Sequence, residues 1–169
     1  MSNNIANKLV VNAKTQAEID NFLSAIIGVK GGEFLHIDFE KIAPTPECLP
    51  DARRWRISNW GTKWNAYETD IDCPCDGSIE LHFQTANNGA IPVIKKLVEM
   101  FPNLEFFYKY ADEVISYNCG EVNGIDGSCS VKFAEDGSDE AMALYIECWQ
   151  EEWDNFKKTE DGWTYNWDD

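Results

Sequence analysis

The sequence predicts an α+β fold in which an antiparallel sheet carries two helices on one face. Three observations predict it. Short stretches with apolar residues at every second position recur through the chain, the period of half-buried strands. Two segments between them carry apolar residues at i, i+3, i+4 and i+7, the period of an amphipathic helix. The chain has 169 residues, 44% of them hydrophobic and 13% aromatic, which is enough for one domain with a real core and too few for two ordinary ones.

The elements follow in order. Residues 5–12 read as the first strand. Thr15 and Glu18 then stand three apart in the capping-box pattern, where two side chains satisfy helix-start amides reciprocally. Ile19, Phe22, Leu23, Ile26 and Ile27 form one helical stripe, ended by Gly31-Gly32. Leu35, Ile37 and Phe39 alternate as a second strand. The three prolines of residues 43–52 require a loop. Ile79, Leu81, Phe83 and Thr85 make a third strand, and Asn87-Asn88-Gly89 a turn. Pro92 takes a first helical position, where its missing N–H breaks no helical bond. Ile91, Ile94, Leu97, Val98 and Phe101 give the second stripe, and Pro102 stops it. Leu104, Phe106, Tyr108 and Tyr110 alternate on a fourth strand, and another is expected over 114–122, closed by Asn123-Gly124. Two β-α-β units with their helices on one side of an antiparallel sheet make a ferredoxin-like sandwich.

Residues 125–169 read as an acidic extension (a hairpin, a helix and a tail) packed on the domain of residues 1–124. The extension holds 13 acids and 3 bases, a net of −10, against −6 for the residues before it. Asp126-Gly127 and Asp136-Gly137 bracket a short strand near Val131 and Phe133, a hairpin signal. Ser138 caps a helix whose first turn sets Asp139 and Glu140 against the dipole. Met142, Tyr145, Ile146, Trp149, Trp153 and Phe156 are expected down one face of it, with Glu147, Glu151, Glu152 and Asp154 over the rest. Trp163, Tyr165 and Trp167 alternate with polar residues, as in a terminal edge strand or docked tail.

Charge and inventory exclude several function classes. A net charge of −16 opposes binding that works by neutralising phosphates, and equally an anionic membrane surface. No apolar run approaches a membrane span, and the N-terminus lacks an export signal, so a cytosolic protein is expected. In that compartment Cys48, Cys73, Cys75, Cys119, Cys129 and Cys148 are reduced thiols. Cys73-Pro74-Cys75 has one intervening residue and no second pair, a poor zinc pattern, and His36 and His82 are the only histidines. Neither histidine joins a nucleophile motif, and no glycine-rich phosphate loop occurs. Asp70, Asp72 and Asp76 do not have calcium-loop spacing and read as a solvated acidic loop. No cofactor, no metal and no enzymatic activity are expected.

Residues 55–67 are the most unusual stretch. Asn59-Trp60-Gly61-Thr62-Lys63-Trp64 resembles the signature of the YubB-type ferredoxin-like domain, a family of phages and plasmids. Pro44 and Pro46 before it, Phe83-Gln84-Thr85-Ala86, Pro92-Val93-Ile94, Leu97, Phe101-Pro102 and Leu104 after it follow in the same order, so the likeness covers roughly residues 5–124. Family members often carry Trp-Ser-Pro-Pro where this chain has Asn87-Asn88-Gly89-Ala90, and the acidic extension has no counterpart in the likeness. The resemblance implies the fold and a mobile-element setting, and no activity. Physically, Trp55, Trp60 and Trp64 suit a core, Gly61 a positive-φ turn and Thr62 a local cap. Trp and Arg are also interface residue types, and Arg53, Arg54, Arg56 and Lys63 form the chain's basic cluster.

The leading functional expectation is a non-enzymatic interaction module. Its acidic face would occupy the cationic groove of a basic host protein or nucleoprotein complex, as a DNA mimic of the anti-CRISPR or anti-restriction kind. The residues expected to carry this are Glu140, Glu147, Glu151, Glu152, Asp154, Glu160 and Asp161, with Trp153 and Trp163 as apolar anchors. One alternative is an RNA or single-stranded nucleic-acid module stacking bases on Phe106, Tyr108 and Tyr110 with help from the Trp/Arg signature. Another is a metal-dependent enzyme.

Overall fold

The computed structural model describes residues 1–30 and 34–167. The chain runs β1 (Asn4–Asn12), α1 (Gln16–Ile26), β2 (Ile27–Lys30), β3 (Phe34–Ile37), α2 (Phe39–Ile42), α3 (Ala52–Trp60), β4 (Tyr67–Cys75), β5 (Ser78–Ala86), α4 (Ile91–Met100), β6 (Glu105–Asp112), β7 (Gly120–Ile125), β8 (Ser128–Phe133), α5 (Asp139–Trp149), a 3-10 turn Trp153–Asn155, β9 (Phe156–Thr159) and β10 (Gly162–Tyr165). Six strands form one sheet in the order β4-β5-β1-β6-β7-β8. β1 lies antiparallel to both β5 and β6. The strands β4, β5, β1 and β6 with helices α1 and α4 are the ferredoxin-like unit, and the β7–β8 hairpin widens it.

Local chemistry starts both core helices. At α1, Thr15 and Glu18 form the expected capping box: the Glu18 amide donates to Thr15 Oγ1 at 3.3 Å and the Thr15 amide donates to Glu18 Oε2 at 3.1 Å. At α4, Ala90 has no capping side chain, and its amide donates instead to the Tyr108 hydroxyl at 2.7 Å. That hydroxyl donates to Asn7 Oδ1 at 2.5 Å, and Asn7 Nδ2 donates to Thr85 Oγ1 at 3.0 Å. A buried polar chain thus joins β1, β5, β6 and the start of α4 with its groups satisfied.

The face under α1 and α4 is apolar. Ile5, Leu9, Val11, Ile79, Leu81, Phe83, Phe106 and Val122 pack against Ile19, Phe22 and Ile26 of α1 and Val93, Ile94, Leu97 and Val98 of α4. Phe22 meets Phe106 edge-on at 5.7 Å. On the other face α5 lays Met142, Leu144, Tyr145, Ile146 and Cys148 over Ala6, Ala111 and Cys119, joined by Phe156 of β9.

The structure corrects several expectations. Residues 67–75 are an edge strand, not a loop: Tyr67, Asp70, Ile71, Asp72 and Cys75 pair with β5, with register shifts either side of Asp70–Asp72. This strand is the second of the ferredoxin-like unit. The strand around Leu35 and Ile37 pairs instead with β2 in a separate two-stranded sheet, and Phe39 opens α2 behind the Asp38 cap. β7 begins at Gly120 rather than 114 and continues through Asn123-Gly124. The chain turns at Asp126-Gly127, both at positive φ. The expected boundary at 124/125 therefore falls inside β7. A Cβ on Gly124 would come within 2.3 Å of Val98 Cγ2, so glycine lets α4 approach the strand. α5 stops at Trp149, where Gln150 turns left-handed at φ 55, and Trp153 and Phe156 lie beyond it. Pro92 stands one position later than expected, since Ile91 is the first residue of α4. Phe106, Tyr108 and Tyr110 are buried beneath the helices and offer no stacking platform.

Candidate functional site

The tryptophan-rich segment is first a joint. Trp60 is 1% exposed, donates from Nε1 to Ala43 O at 2.8 Å and meets Phe39 and Trp55 edge-on. Gly61 ends α3 at φ +81, and a Cβ there would lie 2.6 Å from Gly89 O, so glycine is required twice over. Thr62 is buried and does not cap locally. It bonds both ways to Ala86, donating to the carbonyl at 3.0 Å and accepting from the amide at 3.2 Å. Asn59 donates back to Trp55 O at 2.9 Å. Lys63 bonds Ser2 Oγ and lies 4.2 Å over the ring of Trp64, which is 45% exposed. Arg56 pairs with Glu40 at 3.5 Å, while Arg53 and Arg54 face solvent. Most of the signature therefore locks α3 to the end of β5 and the start of α4.

The opposite face of the sheet carries a row of charge that the sequence order hides. Asp70 of β4 stands beside His82 of β5, His82 beside Lys8, Lys8 beside Lys109, Lys109 beside Glu121 and Glu121 beside Lys132. Directly paired residues point to the same side, so one polar side chain from each strand forms a belt across the sheet. α5 crosses this belt and bonds to it. Glu147 accepts from Lys8 at 3.0 Å and from Lys109 at 2.6 Å. Glu140 pairs with Lys132 at 3.3 Å. Gln150 Nε2 lies 3.1 Å from His82 Nδ1 and Glu80 Oε1 lies 2.6 Å from His82 Nε2. The amide nitrogen can only donate, so His82 Nδ1 accepts and Nε2 donates to Glu80. Burial alone would raise the Glu147 carboxyl, but the bonds from Lys109 and Lys8 outweigh it and hold it below 4.5. Lys8 responds in the opposite sense: burial lowers it, and the bond to Glu147 leaves it raised above 10.5. Beside the belt, an open cleft of about 370 Å³ lies between β4 and α5, lined by Lys8, Asp70, Asp72, Glu80, His82 and Glu147.

The residues expected to carry recognition divide. Glu147 is turned onto the sheet and Glu140 is tied to Lys132. Glu152, Asp154, Glu160 and Asp161 are exposed and enter no ion pair among the described residues. Glu151 is half-buried and accepts from Asn155 Nδ2 at 3.4 Å. Trp163 is half-buried on the β9–β10 hairpin and meets Trp153 edge-on at 5.6 Å. The belt lysines and Trp167 had no place in the sequence-based site. Lys8 and Lys109 sit on the polar side of alternating strands, the one signal that places them facing away from the main core.

Among the described residues no group of three or more His, Cys, Asp or Glu side chains is placed to hold a metal ion. The six cysteines are free thiols, with Cys73 and Cys75 exposed. Burial pushes Cys119 up to about 12 and raises Cys148, so both stay protonated and unreactive at neutral pH. No described helix is long and apolar enough to cross a membrane.

The model of a family described as "Ferredoxin-like domain in Api92-like protein" matches residues 60–162, from Trp60 through β4 to β8, α5 and β9 to the start of β10, leaving β1 and α1 outside it. The match thus includes the acidic hairpin and helix that the likeness read from the signature left out. No curated protein and no solved structure matches the chain. The match extends over more than half of the chain and over most strands of the sheet, and the chain belongs to this family of ferredoxin-like domains in Api92-like proteins.

Proposed function

We propose that this chain is a protein-interaction module that presents its acidic C-terminal face to a basic partner and carries out no reaction of its own. The observation that carries the reading is the exposure of Glu152, Asp154, Glu160 and Asp161 outside any ion pair among the described residues, in a segment with a net charge of −10. Fixed, uncompensated carboxylates steer and orient a cationic partner. The likeness of residues 59–64 to the YubB-type signature supports a phage or plasmid setting. In that setting the partner is a host nucleic-acid-binding defence complex, and the acidic face stands in for nucleic acid. Base stacking on the sheet, one half of the nucleic-acid-binding alternative, is disfavoured because Phe106, Tyr108 and Tyr110 are buried.

The test is affinity capture from host lysate at low and high salt, with the bound proteins identified. The native chain is compared with one carrying Glu151, Glu152, Asp154, Glu160 and Asp161 changed to Lys; Glu147 is kept because it braces the sheet. Retention of a nucleic-acid-binding complex by the native chain alone, lost at high salt, is the expected result. Equal capture by both chains, or by neither, overturns the reading.

A further inference from the structure

The C-terminal hairpin carries more aromatic surface than its packing uses. Phe156 of β9 and Tyr165 of β10 meet tilted at 4.7 Å and pack on α5, where Phe156 meets Tyr145 edge-on at 5.8 Å. From this seated pair the ladder continues outward. Trp167 meets Tyr165 at 5.4 Å and is 81% exposed, and Trp153 meets Trp163 at 5.6 Å and is 47% exposed. Large rings left in water next to seated ones mark a contact surface. Trp163 and Tyr165 pack against the α5 cluster, which leaves Trp153 and Trp167 as the rings open to a partner.

The surface already holds a cation of its own. Lys158, directly across from Trp163 in the hairpin, lies 5.8 Å over that ring and pairs with Asp139 at 2.6 Å. An aromatic face and a carboxylate together are a recognition unit for a side-chain cation. Trp153 has an exposed ring, flanked in sequence by Glu152 and Asp154, both exposed.

We propose that the Trp153–Trp167 surface binds an arginine-rich peptide segment of a partner protein, with guanidinium groups stacked on the exposed rings and paired with the flanking carboxylates. Arginine fits better than lysine because its planar, weakly hydrated group both stacks and bonds in a fork. The inference rests on the reading of the acidic face as a partner-binding surface and names the partner's chemistry.

The experiment titrates the full chain with an alternating arginine–serine octapeptide, following tryptophan emission and heat, beside the lysine–serine peptide of equal charge. Salt-sensitive binding is expected, several-fold tighter for arginine. Trp153→Ala with Trp167→Ala is expected to weaken it at least tenfold. Glu152→Gln with Asp154→Asn is expected to weaken it comparably, and Asp70→Asn with Asp72→Asn on the distant edge strand to leave it within twofold. Melting curves establish that each variant is folded. No binding overturns the inference, as does equal weakening by the Asp70/Asp72 pair, which would mean attraction to net charge alone. If the peptide fails while the charge-reversed chain still loses its captured partner, the arginine inference falls and the broader reading stands.

Discussion

The two faces of the six-stranded sheet are built on different principles. Under α1 and α4 the sheet presents Leu, Ile, Phe and Tyr, and a large apolar area is removed from water. Under α5 it presents Ala6, Ala111 and a belt of opposed charges, with a smaller apolar cluster alongside. The first face supplies most of the folding energy without specifying direction, since apolar contact is non-directional. The second supplies less energy, but each bond in it fixes a position. Glu147 can reach both Lys8 and Lys109 only when α5 crosses β1 and β6 at one place. The difference separates what makes this chain fold from what orients its acidic surface.

Substitutions should grade along that comparison. Phe106→Ala empties a fully buried site facing α1 and is expected to cost about 3–5 kcal/mol in chemical denaturation. Gly124→Ala forces a methyl onto Val98 and should cost about 1–3 kcal/mol by overpacking the same face. Glu147→Gln, on the other face, is expected to cost about 1–2 kcal/mol at neutral pH, held down by partial solvent exposure of the pair. Its pH dependence sharpens the point. The native Glu147 carboxyl lies below 4.5, so its contribution is present above that value and fades as pH falls through the lowered one. Lys8 is raised above 10.5, so its share fades as pH rises through the raised value. Melting temperatures of the native chain and Glu147→Gln should therefore differ most between these limits and converge in acid. Last, Glu152→Lys with Asp154→Lys should move stability by less than about 0.5 kcal/mol, because both side chains are exposed. A large loss there would mean that the acidic face is part of the frame.

The apolar face was legible in the sequence. Periodicity marks β1, α1, β5, α4 and β6, because burying one side of each forces apolar residues into step. β4 was missed although Tyr67, Thr69 and Ile71 alternate inward with Glu68, Asp70 and Asp72 outward. An exposed edge with bulges, acids and Pro74 protects against stray pairing and so looks like a loop. Without that strand, the alternation of Leu35 and Ile37 is the next signal in the chain and points to the wrong segment. The belt was not legible, because Lys8, Lys109 and Glu147 meet only once strand register brings them together. The glycine turn after Trp60 was foreseen, whereas the bond from Thr62 to Ala86 needed the turn of β5 into α4.

The central position of β1 has a kinetic consequence. β1 is made before both of its neighbours: Ile5 pairs with Thr85 on one side and with Asp112 on the other. Closing such long loops adds only logarithmically to the entropic cost, so the finished sheet is little penalised. The search for those contacts is slow, because folding rate falls as contacting residues grow distant in sequence. Until residue 112 has been added, the apolar side of β1, with Ile5, Leu9 and Val11, cannot have both of its neighbours, and the nascent chain carries an open strand that its own later half must close.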